Sequence, residues 1–428
     1  MSYRNALNVF ELQEFARRRL PLPLYSYIEG GVEDNQARDN NRSVFQRIRF
    51  RPRSPIDVSR RSQSVELFGR RFDCPFGIAP MGLAGVFAFD ADIGMARAAA
   101  RMNVPFTLSA YSTLPMEAVA SQANHARWLQ AYMDSDRGRA TRFIDRAAAA
   151  GYEVLMISTD VPARPNRENN VRSGFTLPLR PSARLLFEGA VHPRWSVETF
   201  ARTLMKYGVP RLENLVVGAR PSLLDQPVKS DMWSGRAAVD WDLMRFLRDK
   251  WKKPLLVKGT LHPADAEMAV RVGLDGIVVS NHGGRQLDGA VSPIEAIPEI
   301  RAAAGNKLKI LADSGFRRGT DILKGLALGA DFILLGRAAM FAVAAAGEEG
   351  VVHALSLLKA EVDSDLGLLG CPSVDGLDPS FLQLGDLFPQ GLPGRQVEPA
   401  RAALTAAGIG PVAAGACHRI PFAEGELS

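Results

Sequence analysis

The stretch DGIVVSNHGGRQLD, residues 275–288, decides how this chain is read. Ile277, Val278 and Val279 form a β-branched apolar run, the pattern of a buried parallel strand. Within a few residues the chemistry changes. Ser280, Asn281, His282, Arg285, Gln286 and Asp288 follow, spaced by Gly283 and Gly284. A strand that runs into a polar, glycine-bearing loop is how a (β/α)8 barrel presents catalytic side chains at its C-terminal face. His282 can take a proton near neutral pH. Arg285 offers a planar fork for a carboxylate. A base beside a carboxylate clamp suits removal of hydrogen from the α-carbon of an acid. The four residues HGGR fit a tight turn with a solvated arginine equally well, so the rest of the chain has to decide.

Outward from this stretch, a strand-then-helix alternation begins at Phe76. Strands are expected at residues 76–80, 104–109, 127–132, 153–160, 254–259, 275–280, 308–313 and 331–336. Alanine-rich helical segments lie between them, at 92–102, 137–150, 264–272, 295–304 and 320–328. This repetition predicts a closed (β/α)8 TIM barrel rather than an open doubly wound sheet. No GxGxxG follows a strand, so a nicotinamide site is not expected. Residues 1–75 read as an N-terminal helical cap, residues 76–369 as the barrel and residues 370–428 as a loosely packed tail rich in Gly, Pro and Ala. In the cap, residues 11–19 are helical in pattern, and Pro21 and Pro23 are expected to break regular structure.

Each expected strand ends in residues with possible chemistry: Pro80, Met81 and Gly82; Ser109 and Tyr111; Gln130 and Tyr132; Ser158 and Asp160; Lys258; Ser280 and His282; Asp313, Ser314, Gly315 and Arg317; Gly336 and Arg337. A single polar residue at such a place closes a loop. Many converging on one barrel mouth make a site. Phosphate binding after strands seven and eight is a recurrent barrel feature.

Residues 178–239 break the barrel period as a long insertion after strand four. They carry Phe187, Trp195, Phe200 and Tyr207 among Arg184, Arg194, Arg202, Lys206 and Arg211. Such a mixture suits an interfacial segment on an anionic membrane, with a soluble lid as the alternative. The formal charge of +6 is otherwise ordinary solvated surface, and no nucleic-acid reader motif is present. Cys74, Cys371 and Cys417 are far apart, which points to neither disulfides nor a metal site and to a reducing compartment. The N-terminus lacks an apolar signal segment, and no transmembrane helix is expected. The expected location is cytoplasmic, peripheral on the inner face of the cell membrane.

The longer string SNHGGRQLD, residues 280–288, resembles the signature of the FMN-dependent α-hydroxy acid oxidising family, whose members include glycolate oxidase, L-lactate dehydrogenase and (S)-mandelate dehydrogenase. The resemblance runs from about residue 10 to about residue 380 and is thinner in the insertion and tail. It implies FMN as cofactor and oxidation of an (S)-2-hydroxy acid to the 2-oxo acid. It implies His282 as base with Asp160 as its partner, Arg167 and Arg285 on the substrate carboxylate with Tyr27 assisting, and Tyr132 on the hydroxyl. Pro80, Met81 and Gly82 would lie against the flavin ring, with Lys258 at its pyrimidine end. Ser109, Gln130, Ser158 and Ser280 would contribute further flavin contacts, Asp313 would meet the ribityl hydroxyls, and Ser314, Gly315, Arg317, Gly336 and Arg337 the phosphate. Tyr111 would lie near the substrate side chain, where glycolate oxidases have Trp. Ser158 stands where many relatives have Thr.

The mandelate and lactate dehydrogenases are the nearest branches. HPRW (192–195), YGVPRLENLV (207–216) and DSGFRRG (313–319) resemble the mandelate enzyme more than glycolate oxidase, so a mandelate-like acid is expected first and a lactate-like acid second. Oxidases of the family tend to carry Ala where Gly82 stands, so a quinone or other respiratory-chain acceptor is expected over O2. The resemblance also implies a homotetramer. An O2-using oxidase and a non-catalytic flavin-binding barrel are the alternatives. Type 2 isopentenyl diphosphate isomerase and IMP dehydrogenase relatives lack the HGGR loop with a matching upstream arginine.

Overall fold

In the computed structural model, which describes residues 2–175, 178–180, 182–215, 220–225 and 235–388, all eight expected apolar runs are strands. They are β1 (Phe76–Ile78), β2 (Phe106–Ser109), β3 (Arg127–Ala131), β4 (Val154–Ser158), β5 (Leu255–Thr260), β6 (Gly276–Val279), β7 (Lys309–Ala312) and β8 (Phe332–Leu335). Neighbours in sequence pair in parallel, and β8 pairs with β1 (Ile333↔Phe76, Leu335↔Ile78), so the sheet closes. Closure removes both edges that a short-stranded open sheet would expose.

Alternation along each strand divides the core in two. Leu129, Leu155, Ile157, Leu255, Val257, Ile277, Val279, Ile310 and Ile333 pack outward under the helices. Trp128, Val154, Met156, Leu256, Val278, Leu311, Phe332 and Leu334 form a separate inner cluster. A hairpin, Val65–Leu67 with Arg70–Phe72, closes this cluster at the N-terminal ends of the strands through Leu67 and Phe72. Following the inward parity upward leads from Trp128 to Gln130 and Tyr132, from Met156 to Ser158 and Asp160, from Leu256 to Lys258, from Val278 to Ser280 and His282, and from Leu311 to Asp313. The barrel has an apolar floor and a polar top.

The expected helices are also present, within a residue or two: Ala91–Arg101, Arg137–Ala149, Pro263–Val272, Pro293–Ala304 and Gly319–Ala327. The long helix Arg337–Leu369 is apolar enough and long enough to cross a membrane by composition. Its apolar residues from Ala338 to Ala344, and then Val351, Leu355, Leu358, Val362 and Leu366, are buried within the protein, and it departs from helical geometry at Ala346 and Gly347.

Two expectations need correcting. Pro21 and Pro23 do not break regular structure: they begin the helix Leu22–Glu29, Pro21 as its cap residue and Pro23 in its first turn. The amide that proline lacks would have no intrahelical partner there. The start of the expected loose tail is packed. Cys371, Val374, Leu377 and Phe381 are buried, and Leu382–Gln383 pairs antiparallel with Arg49–Phe50. Pattern failed here because the segment is held by distant cap residues, not by its own periodicity. Residues 389–428, with Cys417, lie outside the described residues.

Candidate active site

A cavity of about 680 Å³ opens at the C-terminal ends of the strands, within the range of small-molecule sites. It is lined by Tyr27, Pro80, Met81, Gly82, Ser109, Tyr111, Gln130, Tyr132, Ser158, Arg167, Lys258, His282, Arg285, Asp313, Ser314, Gly315, Arg317, Gly336 and Arg337. Two other expected residues, Asp160 and Ser280, stand behind that lining and hold its members.

His282 adopts a left-handed backbone, φ 57°, a conformation that a non-glycine residue keeps only when its surroundings enforce it. Those surroundings are visible. Its amide donates to Ser280 Oγ (3.0 Å) and its Nδ1 lies 3.0 Å from Asp160 Oδ2. Asp160 reaches this position because Gly259, φ 105°, has no side chain: a Cβ there would collide with Asp160 Cβ. Gly284 plays the same part on the other side, since a Cβ would strike the backbone at Arg38.

The charges of the dyad follow from its burial. Burial pushes His282 below the ordinary histidine range, and Asp160 only partly offsets this. For Asp160, burial alone would raise the carboxyl, but His282 and Lys258 outweigh it and hold it below the usual range. The resting pair is therefore a carboxylate beside a neutral imidazole. With Nδ1–H donated to Asp160, Nε2 is the basic nitrogen.

Two arginines accompany the dyad. Arg167 donates from Nε to the Arg285 carbonyl (3.1 Å) and from Nη2 to Gln286 Oε1 (2.5 Å). Gln286 in turn donates to the Asp160 carbonyl (3.1 Å). Arg285 donates from Nη1 to the carbonyls of Tyr27 and Gly30, both at 2.6 Å. Its guanidinium lies 4.7 Å from the Tyr27 ring centroid. Burial, with Arg167 nearby, brings Arg285 down to about 9, so it still carries its charge at neutral pH. Among the described residues its buried Nη2 has no partner, a costly arrangement unless the site takes an anion.

A polar chain runs around the barrel beneath the cavity. Ser109 Oγ donates to Gln130 (3.1 Å), and Gln130 Nε2 to Ser158 Oγ (3.0 Å). Lys258 Nζ donates to Ser280 Oγ (2.7 Å) and pairs with Asp313 at 3.0 Å. Burial opposes the Lys258 charge, but Asp313 and Asp160 hold it above the ordinary lysine range. Ser314 Oγ donates to Asp313 (2.7 Å) and accepts from the Gly283 amide (3.0 Å). At the ends of β7 and β8, Arg317 makes one side-chain hydrogen bond among the described residues, to the Phe316 carbonyl (2.8 Å). Arg337 is used differently: its three nitrogens meet the carbonyls of Ile28, Gly283 and Gly30 at 2.7–2.9 Å, tying cap to barrel.

This donor set fits a flavin mononucleotide. The buried, lightly bonded Arg317 and the open backbone at Gly336, with no atom within 4 Å of where its Cβ would lie, suit a phosphate. Lys258, Asp313 and Gln130 can meet polar ring and ribityl edges, and Pro80, Met81 and Gly82 supply an uncharged face of the cavity.

Sequence reasoning missed Phe175, whose ring lies 4.7 Å from that of Tyr27, Arg236, and the apolar wall of Leu212, Leu215 and Leu223. All lie beyond β4 in aperiodic segments that give no signal in one sequence. The insertion is likewise only partly as expected. Trp195 donates to the Val86 carbonyl (3.0 Å), Lys206 and Tyr207 bond Asp90, and Arg202 covers Phe89. These aromatic and basic residues are anchors to the barrel. The most exposed apolar residues of the insertion are Leu186 (75%), Phe187 (65%), Val197 (63%) and Met205 (80%).

Residues 16–384 match the family model for FMN-dependent dehydrogenases. The chain is 41% identical over 379 residues to (S)-mandelate dehydrogenase of Pseudomonas putida, covering 89% of this chain and 94% of that one. It is 38% identical over 361 residues to L-lactate dehydrogenase of Pectobacterium atrosepticum, covering 84% and 92%. A crystal structure of the monotopic membrane protein (S)-mandelate dehydrogenase superposes with a TM-score of 0.80 at 40% identity, over 89% of this chain and 99% of that chain. Sequence, barrel and cavity agree, and the chain belongs to the FMN-dependent dehydrogenases, a family of oxidoreductases.

Proposed function

We propose that this protein oxidises an (S)-2-hydroxy acid, mandelate-like first and lactate-like second, to its 2-oxo acid and passes the electrons to a quinone or other respiratory-chain acceptor. The observation that carries the reading is His282, held by Asp160 at 3.0 Å, in one cavity with Arg167 and Arg285. Arg285 and Arg167 hold the substrate carboxylate, and Tyr27 closes over it. His282 Nε2 takes a proton from the substrate, and Asp160 stabilises the imidazolium that forms. Tyr132, whose phenol burial keeps protonated, donates to the substrate hydroxyl. Bound FMN would supply the acceptor for the two electrons and for the second hydrogen that the alcohol loses. Lys258 would help hold the cofactor and supply a fixed positive charge beside it. Anaerobic mixing of the purified yellow protein with a panel of 2-hydroxy acids tests the reading. Bleaching by (S)-mandelate is expected, and no bleaching by any acid of the panel refutes it.

The membrane part of the proposal rests on the exposed face of Ala183–Val191 and Arg202–Tyr207. Leu186, Phe187 and Met205 present apolar side chains to solvent beside Arg184 and Arg194, the composition of an interfacial segment. The (S)-mandelate dehydrogenase to which the chain is similar is a monotopic membrane protein. Co-sedimentation with anionic liposomes is the expected outcome, and a protein that stays in the supernatant at low salt refutes it. Assembly as a tetramer belongs to the same reading and is checked by sedimentation velocity.

A further inference from the structure

On the cavity wall near Tyr111 stands a buried cation, Arg236, 7% exposed. It sits in a helical turn at residues 235–237, just before the helix Trp241–Lys250 that leads to β5. The turn is held against the loop after β3: Ser135 N donates to the Gly235 carbonyl (3.2 Å). Gly235 packs so closely that a Cβ would lie 2.7 Å from Asp134 Cβ.

From this platform Arg236 reaches two rings. Its Nη2 donates to the Tyr111 hydroxyl at 3.0 Å. Its guanidinium carbon lies 4.5 Å from the Tyr132 ring centroid and 5.5 Å from that of Tyr111. The two rings meet edge to face, with centroids 5.3 Å apart and planes at 86°. Tyr111 follows β2 and Tyr132 follows β3, so one side chain from a third segment braces residues of two different strands. Stacked cations and edge-to-face rings each contribute a modest attraction, but together they define one arrangement.

The backbone of Tyr111 is already fixed, by Leu83 N to its carbonyl (2.9 Å) and by its own amide to Ser109 Oγ (3.2 Å). What remains free is rotation of the ring, and the bond from Arg236 removes it. The Tyr132 hydroxyl makes no hydrogen bond among the described residues, so ring contacts alone aim it. We propose that Arg236 is the positioning residue that locks the Tyr111–Tyr132 pair and thereby decides which substrate side chains the cavity accepts. This rests on the 2-hydroxy acid reading above. A ring held in place gives a wall of fixed width, whereas a ring free to rotate gives a pocket that admits small and bulky side chains with less discrimination.

The test uses the full chain loaded with FMN, in four forms: Arg236→Met, Arg236→Lys, Tyr111→Phe and the Tyr111→Phe/Arg236→Met double variant. Two ratios are measured: kcat/KM for (S)-mandelate over L-lactate, and Kd for benzoate over acetate from the visible flavin spectrum. Arg236→Met should move both ratios at least fivefold, through KM and Kd more than kcat. Tyr111→Phe, which keeps the ring and removes only the acceptor, should move them in the same direction, and the double variant should go little further than Arg236→Met. Arg236→Lys should restore part of the wild-type ratios. Equal weakening of both members of each pair, or additive effects of the two single variants, overturns the assignment. If Arg236→Met fails to fold or loses flavin, unchanged ratios in Tyr111→Phe overturn it. If neither hydroxy acid reduces the wild type, the functional reading fails, while the benzoate/acetate ratio still decides the role of Arg236.

Discussion

The loop after β6 and the insertion after β4 serve one cavity and are built in opposite ways. The first is a contiguous string on a buried strand. His282, Arg285 and Gln286 each have fixed partners, and even the backbone strain at His282 is enforced by neighbours. The second reaches the cavity through scattered residues: Leu212, Leu223 and Arg236 from turns, while its own helices lean on the barrel through Trp195 and Lys206 and on the cap through Glu198. Chemistry is carried by the rigid strand ends, and selectivity and location by the irregular segment. A barrel can keep one reaction while its insertions change what is oxidised and where.

The largest effect should come from the rigid side. His282→Ala should slow flavin reduction by about 10²–10⁴-fold while the protein stays yellow, since removing a general base costs that much. Stopped-flow absorbance measures it, and a rate within threefold of wild type would break the contrast. The pH dependence sharpens it. His282 is active when neutral, and burial lowers its pKa. The acid limb of kcat/KM should therefore fall below pH 6.5, with activity lost as protonation sets in. Asp160→Asn removes a charge that favours the imidazolium, so its acid limb should move lower still while the plateau drops.

Next is Arg285→Lys. A lysine cannot reproduce the fork that meets Tyr27 and Gly30 while facing the cavity, and a loss of about 2–3 kcal/mol, roughly 30- to 150-fold in kcat/KM, is expected. Gly82→Ala should come third and links the two regions. A Cβ at Gly82 would lie 2.7 Å from Tyr111 Cβ, so the methyl must displace the ring that Arg236 holds. Substrate kcat/KM should fall about tenfold by the cost of overpacking, together with a change in the ratio of O2 to quinone reoxidation. An unchanged kcat/KM would show that Tyr111 moves freely. The smallest effect on catalysis should come from the exposed face: Leu186→Ser/Phe187→Ser/Met205→Ser should abolish liposome binding and leave kcat with a soluble acceptor within twofold.

The same contrast explains what the sequence disclosed. Strand positions and the order of polar residues at their ends were legible because inward parity on a short parallel strand leaves few alternatives: once Val278 faces in, so do Ser280 and His282. The pairing of Asp160 with His282 was legible only through family resemblance, since 122 residues separate them. Arg236 was not legible at all. Its position depends on a turn docking against Asp134, a tertiary contact without a local pattern. Pro21 and Pro23 misled because proline terminates a helix in its interior but starts one in its first turn.

Arg285 and Arg337 have one more consequence. The carbonyls they bind, at Tyr27, Ile28 and Gly30, lie at the C-terminal end of the cap helix Leu22–Glu29, where a helix has unsatisfied acceptors and partial negative charge. The cap helix thus ends on the cationic groups of the site. In modular terms the two cannot be traded separately. A chain trimmed to its eight strands and their helices would leave Arg285 without the carbonyls that hold it and Arg337 with that of Gly283 alone, and a cap moved to another barrel would need arginines waiting at the same two strand ends.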